Sequence, residues 1–471
     1  MEAIELADIQ GYVVRGYKHM MYSRYVLLQI TDAAGAKKFI NGLVDSLTNA
    51  THYPSATCLN IAFTSPGLRA LGMNEPNISI FLREFREGMT TAHRQRLLGD
   101  YDSSVPENWR WGGPNNQTVH ILLMVFGKHE SIAIDYYEHL KQQFSTSGLT
   151  EIIQLDGQTL PFNKEHFGFR DGISQPIIKG SGKTGAEINC INAGEFLMGY
   201  KNEYNVLPDT PLLAEEQGNV NLLPSDAGGS GKKDLGKNGS YFVLRQLEQD
   251  VDGYWNFLND KTKNEDGSIN VDESVKLAAK MMGRWPSGAP VVMFPDNDPH
   301  MRKDRDDNDF TYQDIDKDGM KCPFGSHIRR ANPRDNFEDN GAKESLKLTK
   351  RHRIIRRGRL YGDPYESSPL KHSPNEEVGL LFGCFNADIS RQFEFIQYTW
   401  ANFPRFREFY NDPDPIIGVR EIPDPTQEQN FTLPGSPVNK CITGLKKFVK
   451  TKGGAYFFFP SITTVRFLCS I

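Results

Sequence analysis

Arg24-Tyr25-Val26-Leu27-Leu28-Gln29-Ile30, followed by Asp32 and then by Phe39, Leu43 and Leu47 at four-residue intervals, sets the grammar of this chain. The first run is short and rich in β-branched and other apolar residues, which predicts a strand. Asp32 is a good N-cap, and the spacing behind it predicts a helix with one apolar face. Cys58 to Phe63 and Val119 to Phe126 read as further strands, with a helix near 131–145. The same grammar returns later. Tyr241-Phe242-Val243-Leu244 reads as a strand leading to a helix through Tyr254 and Phe257. Leu380-Leu381-Phe382 reads as a strand before a helix with Ile389, Phe393, Ile396 and Trp400 on one side. Ala455 to Phe459 is a closing aromatic strand. Strand, helix, strand, used twice, predicts an α+β chain with two halves of similar plan that divide around 200–235. Long connectors lie near 201–240, 331–345, 363–378 and 411–440, and some of them are expected to line a site.

The composition narrows the function classes. The 471 residues are 38% hydrophobic and 24% charged, with 42 Gly and 27 Pro. That excludes a disordered chain, a collagen and a coiled coil. Fifty-four Lys and Arg against fifty-nine Asp and Glu give a net charge of −5, so no polycation is built here for nucleic acid. The longest apolar stretch, Ile121 to Phe126, is far short of the ~20 residues that cross a bilayer. The first residues lack a basic and then apolar leader, so no signal peptide is expected. The six cysteines are scattered without a CxxC pair, which suits a reduced, cytoplasmic setting.

Several motifs fail on inspection. Gly231-Lys232-Lys233-Asp234-Leu235-Gly236-Lys237-Asn238 nearly spells a phosphate loop, but Asn238 stands where the magnesium-holding hydroxyl belongs. Asp314-Ile315-Asp316-Lys317-Asp318-Gly319 opens like a calcium loop, yet its twelfth position is Gly325 rather than Glu. Lys347 to Arg359 holds seven Lys or Arg in thirteen residues, offset by the acidic stretch from Asp304 to Asp318. The common hydrolase boxes are absent.

Three segments carry the chemistry. In Phe167-Gly168-Phe169-Arg170-Asp171-Gly172-Ile173-Ser174-Gln175-Pro176 a carboxylate sits between apolar residues, with Gly on both sides to let the backbone turn sharply. In Cys322-Pro323-Phe324-Gly325-Ser326-His327-Ile328-Arg329-Arg330-Ala331-Asn332-Pro333-Arg334 one His is surrounded by Arg, which suits an imidazole ligand near anionic groups. The third is Arg353-Ile354-Ile355-Arg356-Arg357-Gly358-Arg359-Leu360-Tyr361-Gly362.

Together these segments resemble the dye-decolorizing peroxidase family of haem enzymes. Gly168-Phe169-Arg170-Asp171-Gly172 is similar to its GxxDG signature, the His327 segment to its proximal-ligand stretch, and Ile355-Arg356-Arg357-Gly358 to its distal-arginine stretch. Gly283-Arg284-Trp285-Pro286-Ser287-Gly288 and Gly453-Gly454-Ala455-Tyr456-Phe457-Phe458-Phe459-Pro460-Ser461 add to the likeness. Length and long loops look most like the larger class with fungal and some bacterial members. The resemblance implies two ferredoxin-like modules, 1–215 with the GxxDG motif and 216–471 holding most of one haem b.

It also implies roles. His327 is the expected axial iron ligand, its other ring nitrogen donating to an acceptor for which Asp414 is the candidate. His166, His352 and His372 lack the matching segment. Asp171 is the expected acid–base residue for hydrogen peroxide, and Arg356 the cation beside it, with Arg357 as runner-up. Ile173, Leu380 and Phe382 are expected to line the haem cavity, although the last two suit plain core packing nearly as well. Arg329 and Arg334 are candidates for the haem propionates. Tyr361 and Trp400 resemble surface electron-transfer positions, and Trp400 equally fits an apolar helical stripe. The implied partners are hydrogen peroxide and aromatic dyes or phenolic reductants, for a monomer or homodimer. A carboxylate base, with an ordinary pKa of ~3.9, predicts activity on the acid side of neutral. The alternative is a haem-binding protein for storage, delivery or iron release, which needs no distal acid–base pair.

Overall fold

Four strands of the first half, β1 (Tyr22–Ile30), β2 (Thr57–Phe63), β3 (Ile121–Gly127) and β4 (Leu149–Gln158), pair antiparallel in the order β2-β3-β1-β4. The computed structural model describes residues 3–300, 307–337, 341–363, 366–407, 409–419 and 429–471. Parts of the predicted acidic stretch and of the connectors near 331–345, 363–378 and 411–440 lie outside these residues. The second half supplies β5 (Ser240–Gln249), β6 (Ile355–Arg356), β7 (Arg359–Tyr361), β8 (Gly379–Asn386) and β9 (Val449–Phe459). Here β9 pairs with β5, β5 with β8, and β8 with both β6 and β7. Each half therefore places its first and third strands at the centre, the ferredoxin-like order.

The two half-sheets join at both edges. β9 meets β2 at Phe458 and Phe63, and β4 meets β7 at Gln158 and Leu360. The result is a closed barrel of eight strands with β6 alongside β8. The interior of a barrel of this size is just wide enough for side chains to fill it. Tyr25, Leu27, Phe126, Phe242, Leu244, Phe385, Phe457 and Phe459 fill it, with Tyr12, Val13 and Tyr17 inserted from the chain start. Strand alternation sends Val26, Leu28, Leu123, Val125, Tyr241, Val243 and Phe458 to the outer face.

On the first half, helices seal that outer face. Asp32 caps α1 (Ala33–Leu43) by accepting from the Ala34 and Gly35 N–H groups, and Phe39, Ile40 and Leu43 are buried beneath it. α2 (Glu130–Lys141) adds Tyr137 and Leu140. On the second half, α3 (Val251–Thr262) and α4 (Val271–Met282) build a separate apolar cluster with Phe167, Phe169 and Ile416. The helix expected through Ile389 and Trp400 is wound instead as π-helical turns, Ser390–Glu394 and Ile396–Asn402. The wider turn divides its apolar residues between two clusters, Phe393 joining the sheet and Trp400 a group with Ile396 and Phe406. Among the described residues no helix is long and apolar enough to cross a membrane.

Candidate active site

A cavity with about 290 Å³ open to the centres of water molecules lies between the outer face of the second half-sheet and its helix layer. Arg245, Leu247 and Gln249 of β5 and Leu380 and Phe382 of β8 line it by alternation. Ile173, Met282, Phe393, Ile396 and Ile416 supply more apolar wall.

Asp171 is carried by a tight hairpin in which Glu165 N–H donates to Phe169 O at 2.8 Å and Gly168 N–H to Glu165 O at 2.8 Å. Gly168 has φ +96, and a Cβ there would lie 2.9 Å from the Ser367 carbonyl oxygen; Gly172 follows at φ +76. Any L-residue with a side chain would strain both turns. Asp171 N–H donates to Asn163 O at 2.7 Å, which fixes the strand of the hairpin that bears the carboxylate.

Arg356 reaches the same place from β6. Register with β8 pairs Phe385 with Ile355 and Cys384 with Arg356, so Ile355 enters the barrel while Arg356 faces the cavity. Arg356 Nη1 donates to Asp171 Oδ1 at 3.1 Å, and Nη2 to Ile173 O at 2.8 Å. Arg357 takes the other direction and donates to the Tyr12 and Val13 carbonyls at 2.8 and 2.7 Å. Of the two arginines, only Arg356 lines the cavity beside Asp171.

His327 opens the short helix α5 (His327–Ala331) and lines the cavity. Its Nδ1 lies 2.9 Å from Asp414 Oδ2. The other Asp414 oxygen accepts from the Ile416 and Ile417 N–H groups at 2.9 and 3.0 Å. Burial by itself would raise the Asp414 carboxyl, but the His327 charge and hydrogen bond, the Arg330 charge and the backbone donors outweigh it and hold the value below the usual range. A carboxylate acceptor at Nδ1 selects the tautomer whose Nε2 lone pair is available. Arg330 braces this arrangement from below, donating to the carbonyls of Trp400, Asp412 and Phe403.

The sequence and structure comparisons all lead to dye-decolorizing peroxidases. Residues 8–161 match the family described as the DyP dimeric alpha+beta barrel domain. Dye-decolorizing peroxidase msp1 of Mycetinis scorodonius is 28% identical over 99% of this chain and 88% of its own length. Multifunctional dye peroxidase DyP2 of an Amycolatopsis species is 29% identical over 94% and 91%. A solved ancestral D-type dye decolorizing peroxidase superimposes with a TM-score of 0.79 at 27% identity, covering 100% of both chains. The Auricularia auricula-judae enzyme gives 0.79 at 25% over 99% and 100%. Over nearly its whole length the chain is similar to dye-decolorizing peroxidases.

The structure gathers Asp171, Arg356, His327, Ile173, Leu380, Phe382 and Arg334 on the walls of one cavity, with Asp414 behind His327. Three expectations need correction. Arg329 is 1% exposed and turned away from the cavity, its guanidinium bound to Asp316, Cys322 O and Asn336 and held between Tyr312 and Phe324. Its Nε–H is buried without a partner, but Arg329 does not line the cavity, because consecutive residues of a helix face different ways. Tyr361 is only 9% exposed, with its hydroxyl donating to Glu377 at 3.2 Å, and Trp400 is 1% exposed. Trp400 packs against Phe337, His352 and Phe395, so neither aromatic residue is a surface terminus.

The three competing histidines hold other partners, although His352 also lines the cavity. His166 Nε2 meets Tyr361 O at 2.9 Å, His372 Nδ1 meets Asp252 at 2.8 Å, and His352 Nδ1 meets Arg391 O at 2.6 Å. Burial pushes both His166 and His352 down to about 4, which keeps them neutral.

Two cavity residues escaped the sequence reading. Arg353 is buried; its guanidinium donates to Ser174 O at 3.3 Å and has no carboxylate partner among the described residues. Burial, then the neighbouring Arg334 and Arg356 charges, push it down to about 9. It precedes β6 in irregular backbone, where alternation says nothing about its direction. Glu165 also lines the cavity, within a polar Asn-Lys-Glu-His run that reads as an ordinary surface turn.

Proposed function

We propose that the cavity holds one haem b and that the protein is a haem-dependent peroxidase, reducing hydrogen peroxide and oxidising dyes or phenolic one-electron donors. The observation that carries this reading is the meeting of the Asp171–Arg356 and His327–Asp414 pairs at one cavity whose surface is mostly apolar.

The donor set fits the group. Among the described residues no cluster of three His, Cys, Asp or Glu could hold a bare metal ion, so a metal at His327 has to bring its other ligands with it. The apolar walls suit a porphyrin, no cysteine lines the cavity for a thioether link, and Arg353 and Arg334 offer positive charge to two carboxylates. The six unpaired thiols support the reduced compartment expected from the sequence, and the module division at 215/216 remains part of the proposal.

When bound, haem supplies a redox-active iron that exchanges electrons with peroxide and with donors. His327 Nε2 would bind it, with Asp414 fixing the ring and strengthening the donor. Asp171 would take the proton from one peroxide oxygen and return it to the other, so that the second leaves as water. Arg356 would hold Asp171 in place and stabilise negative charge developing on the leaving oxygen. Simple haem storage needs neither group.

Absorption spectroscopy tests the reading. The purified protein should show a Soret band that shifts with one equivalent of peroxide and returns as a dye is bleached. A protein that takes up haem but shows no peroxide response would be a carrier instead.

A further inference from the structure

Reduction of one hydrogen peroxide to two waters consumes two electrons and two protons. The proton that Asp171 carries between the two peroxide oxygens starts and ends on the substrate. Both net protons therefore have to enter the cavity as the donors give up their electrons.

Glu165 stands six residues before Asp171, half-buried, on the wall of the same cavity. Its Oε1 accepts from Phe169 N–H at 2.9 Å, and its Oε2 from Phe167 N–H at 3.0 Å and from Gln249 Nε2 at 2.6 Å. Among the described residues it forms no ion pair, in contrast with Asp171. Its side-chain partner is a neutral amide, and that amide leaves Gln249 Oε1 buried without a partner. A half-turn of the amide exchanges its NH2 for that oxygen, which can then accept a proton from a neutral carboxyl. The Glu165–Gln249 couple can thus be hydrogen-bonded with the carboxyl either charged or neutral. A carboxylate that only shaped the turn would have no use for an ambivalent partner.

We propose that Glu165 is the proton-holding partner of Asp171, a second carboxyl of the cavity that takes up protons during donor oxidation and passes them to the Asp171 side. This deepens the peroxidase reading and rests on it. Glu165 acts through Asp171 and the cavity, not on peroxide itself.

The surroundings agree with that task. Burial first, with the Asp171 charge adding to it, raises Glu165 to about 7 against the pull of the three donors. The groups that face it are Asp171 from its own hairpin, the Tyr254 hydroxyl from α3 and the neutral Gln249 from β5. Arg170 of the same hairpin, Arg356 of β6 and Arg245 of β5 share the cavity wall. Arg356 is bound to Asp171 and Arg245 to Asp100 and Thr451.

Infrared titration and stopped-flow kinetics on the haem-loaded wild type, Glu165→Gln, Gln249→Leu and Asp171→Asn proteins test the proposal. The wild type should show a carboxylic-acid carbonyl band that disappears with a midpoint near neutral. Glu165→Gln should lack the band. Gln249→Leu should move its midpoint upward, because the charged form loses a donor. Glu165→Gln should slow the donor-driven half of the cycle about tenfold more than the peroxide-driven half, and should lose the neutral inflection in its pH profile. A wild type without that band, or a Glu165→Gln protein that keeps band and inflection, overturns the proposal and leaves Glu165 a turn-shaping residue. If Glu165→Gln does not fold, an unmoved midpoint in Gln249→Leu overturns it equally. Asp171→Asn separates the two readings: a normal peroxide-driven half there defeats the assignment of the site, whereas the infrared band reports on Glu165 alone.

Discussion

The two half-sheets have the same strand order and opposite fates on their outer faces. On the first, Val26, Leu28, Leu123 and Val125 meet Phe39, Ile40, Tyr137 and Leu140 from α1 and α2, and the space between is closed. On the second, the positions after Tyr241 and Val243 on β5 become Arg245, Leu247 and Gln249, and β8 contributes Leu380 and Phe382. The helix layer there builds its own cluster around Tyr254, Phe257 and Leu277 instead of settling on the sheet. An apolar face wants full contact, because a void forfeits dispersion on both walls. Placing charge and amide groups in the row removes that drive and leaves room for a ligand. One topology thus serves once as a structural wall and once as the floor of a site.

That contrast can be broken by substitution. Asp171→Asn should cost the peroxide reaction about 100- to 10,000-fold while the Soret band stays, as expected for loss of a general acid–base group; rapid mixing with peroxide reads it. Leu123→Ala, on the closed wall, should lower unfolding stability by roughly 2–5 kcal/mol through cavity formation without altering the cofactor spectrum. Urea denaturation checks it.

Glu165 should tie stability to pH. Its value is raised from 4.5 to about 7 in the fold, so it stabilises the protein below about 4.5 and loses that contribution as pH rises through about 7. The span corresponds to at most about 3 kcal/mol, less after solvent screening at a half-buried site. Between about pH 5 and about pH 8 the wild type should therefore lose stability that Glu165→Gln keeps, so denaturation should show their difference shifting in favour of Glu165→Gln at the alkaline end. Asp414→Asn should weaken cofactor retention or activity by roughly 10- to 100-fold, since it removes the acceptor that orients His327; competition with a haem-binding protein measures the first. Leu380→Ala on the open wall should cost only about 1 kcal/mol or less, because this side chain is half-buried and already faces space. An equal loss for Leu123→Ala and Leu380→Ala would erase the difference between the walls.

Local pattern determined a good deal of this protein. Asp32 and the spacing of Phe39 and Leu43 placed α1, strand alternation placed the strands, and the Gly-flanked Asp171 and the segments around His327 and Arg356 picked out residues that line one cavity. These signals are local, since caps, left-handed turns and two-residue alternation are decided within a few residues of chain. Closure of the barrel at Phe458–Phe63 and Gln158–Leu360, the inward turn of Arg353, the outward turn of Arg329 and the burial of Tyr361 and Trp400 were decided only in three dimensions. A guanidinium or an indole settles wherever partners from distant segments leave it acceptors or packing, and no sequence spacing records where those partners stand.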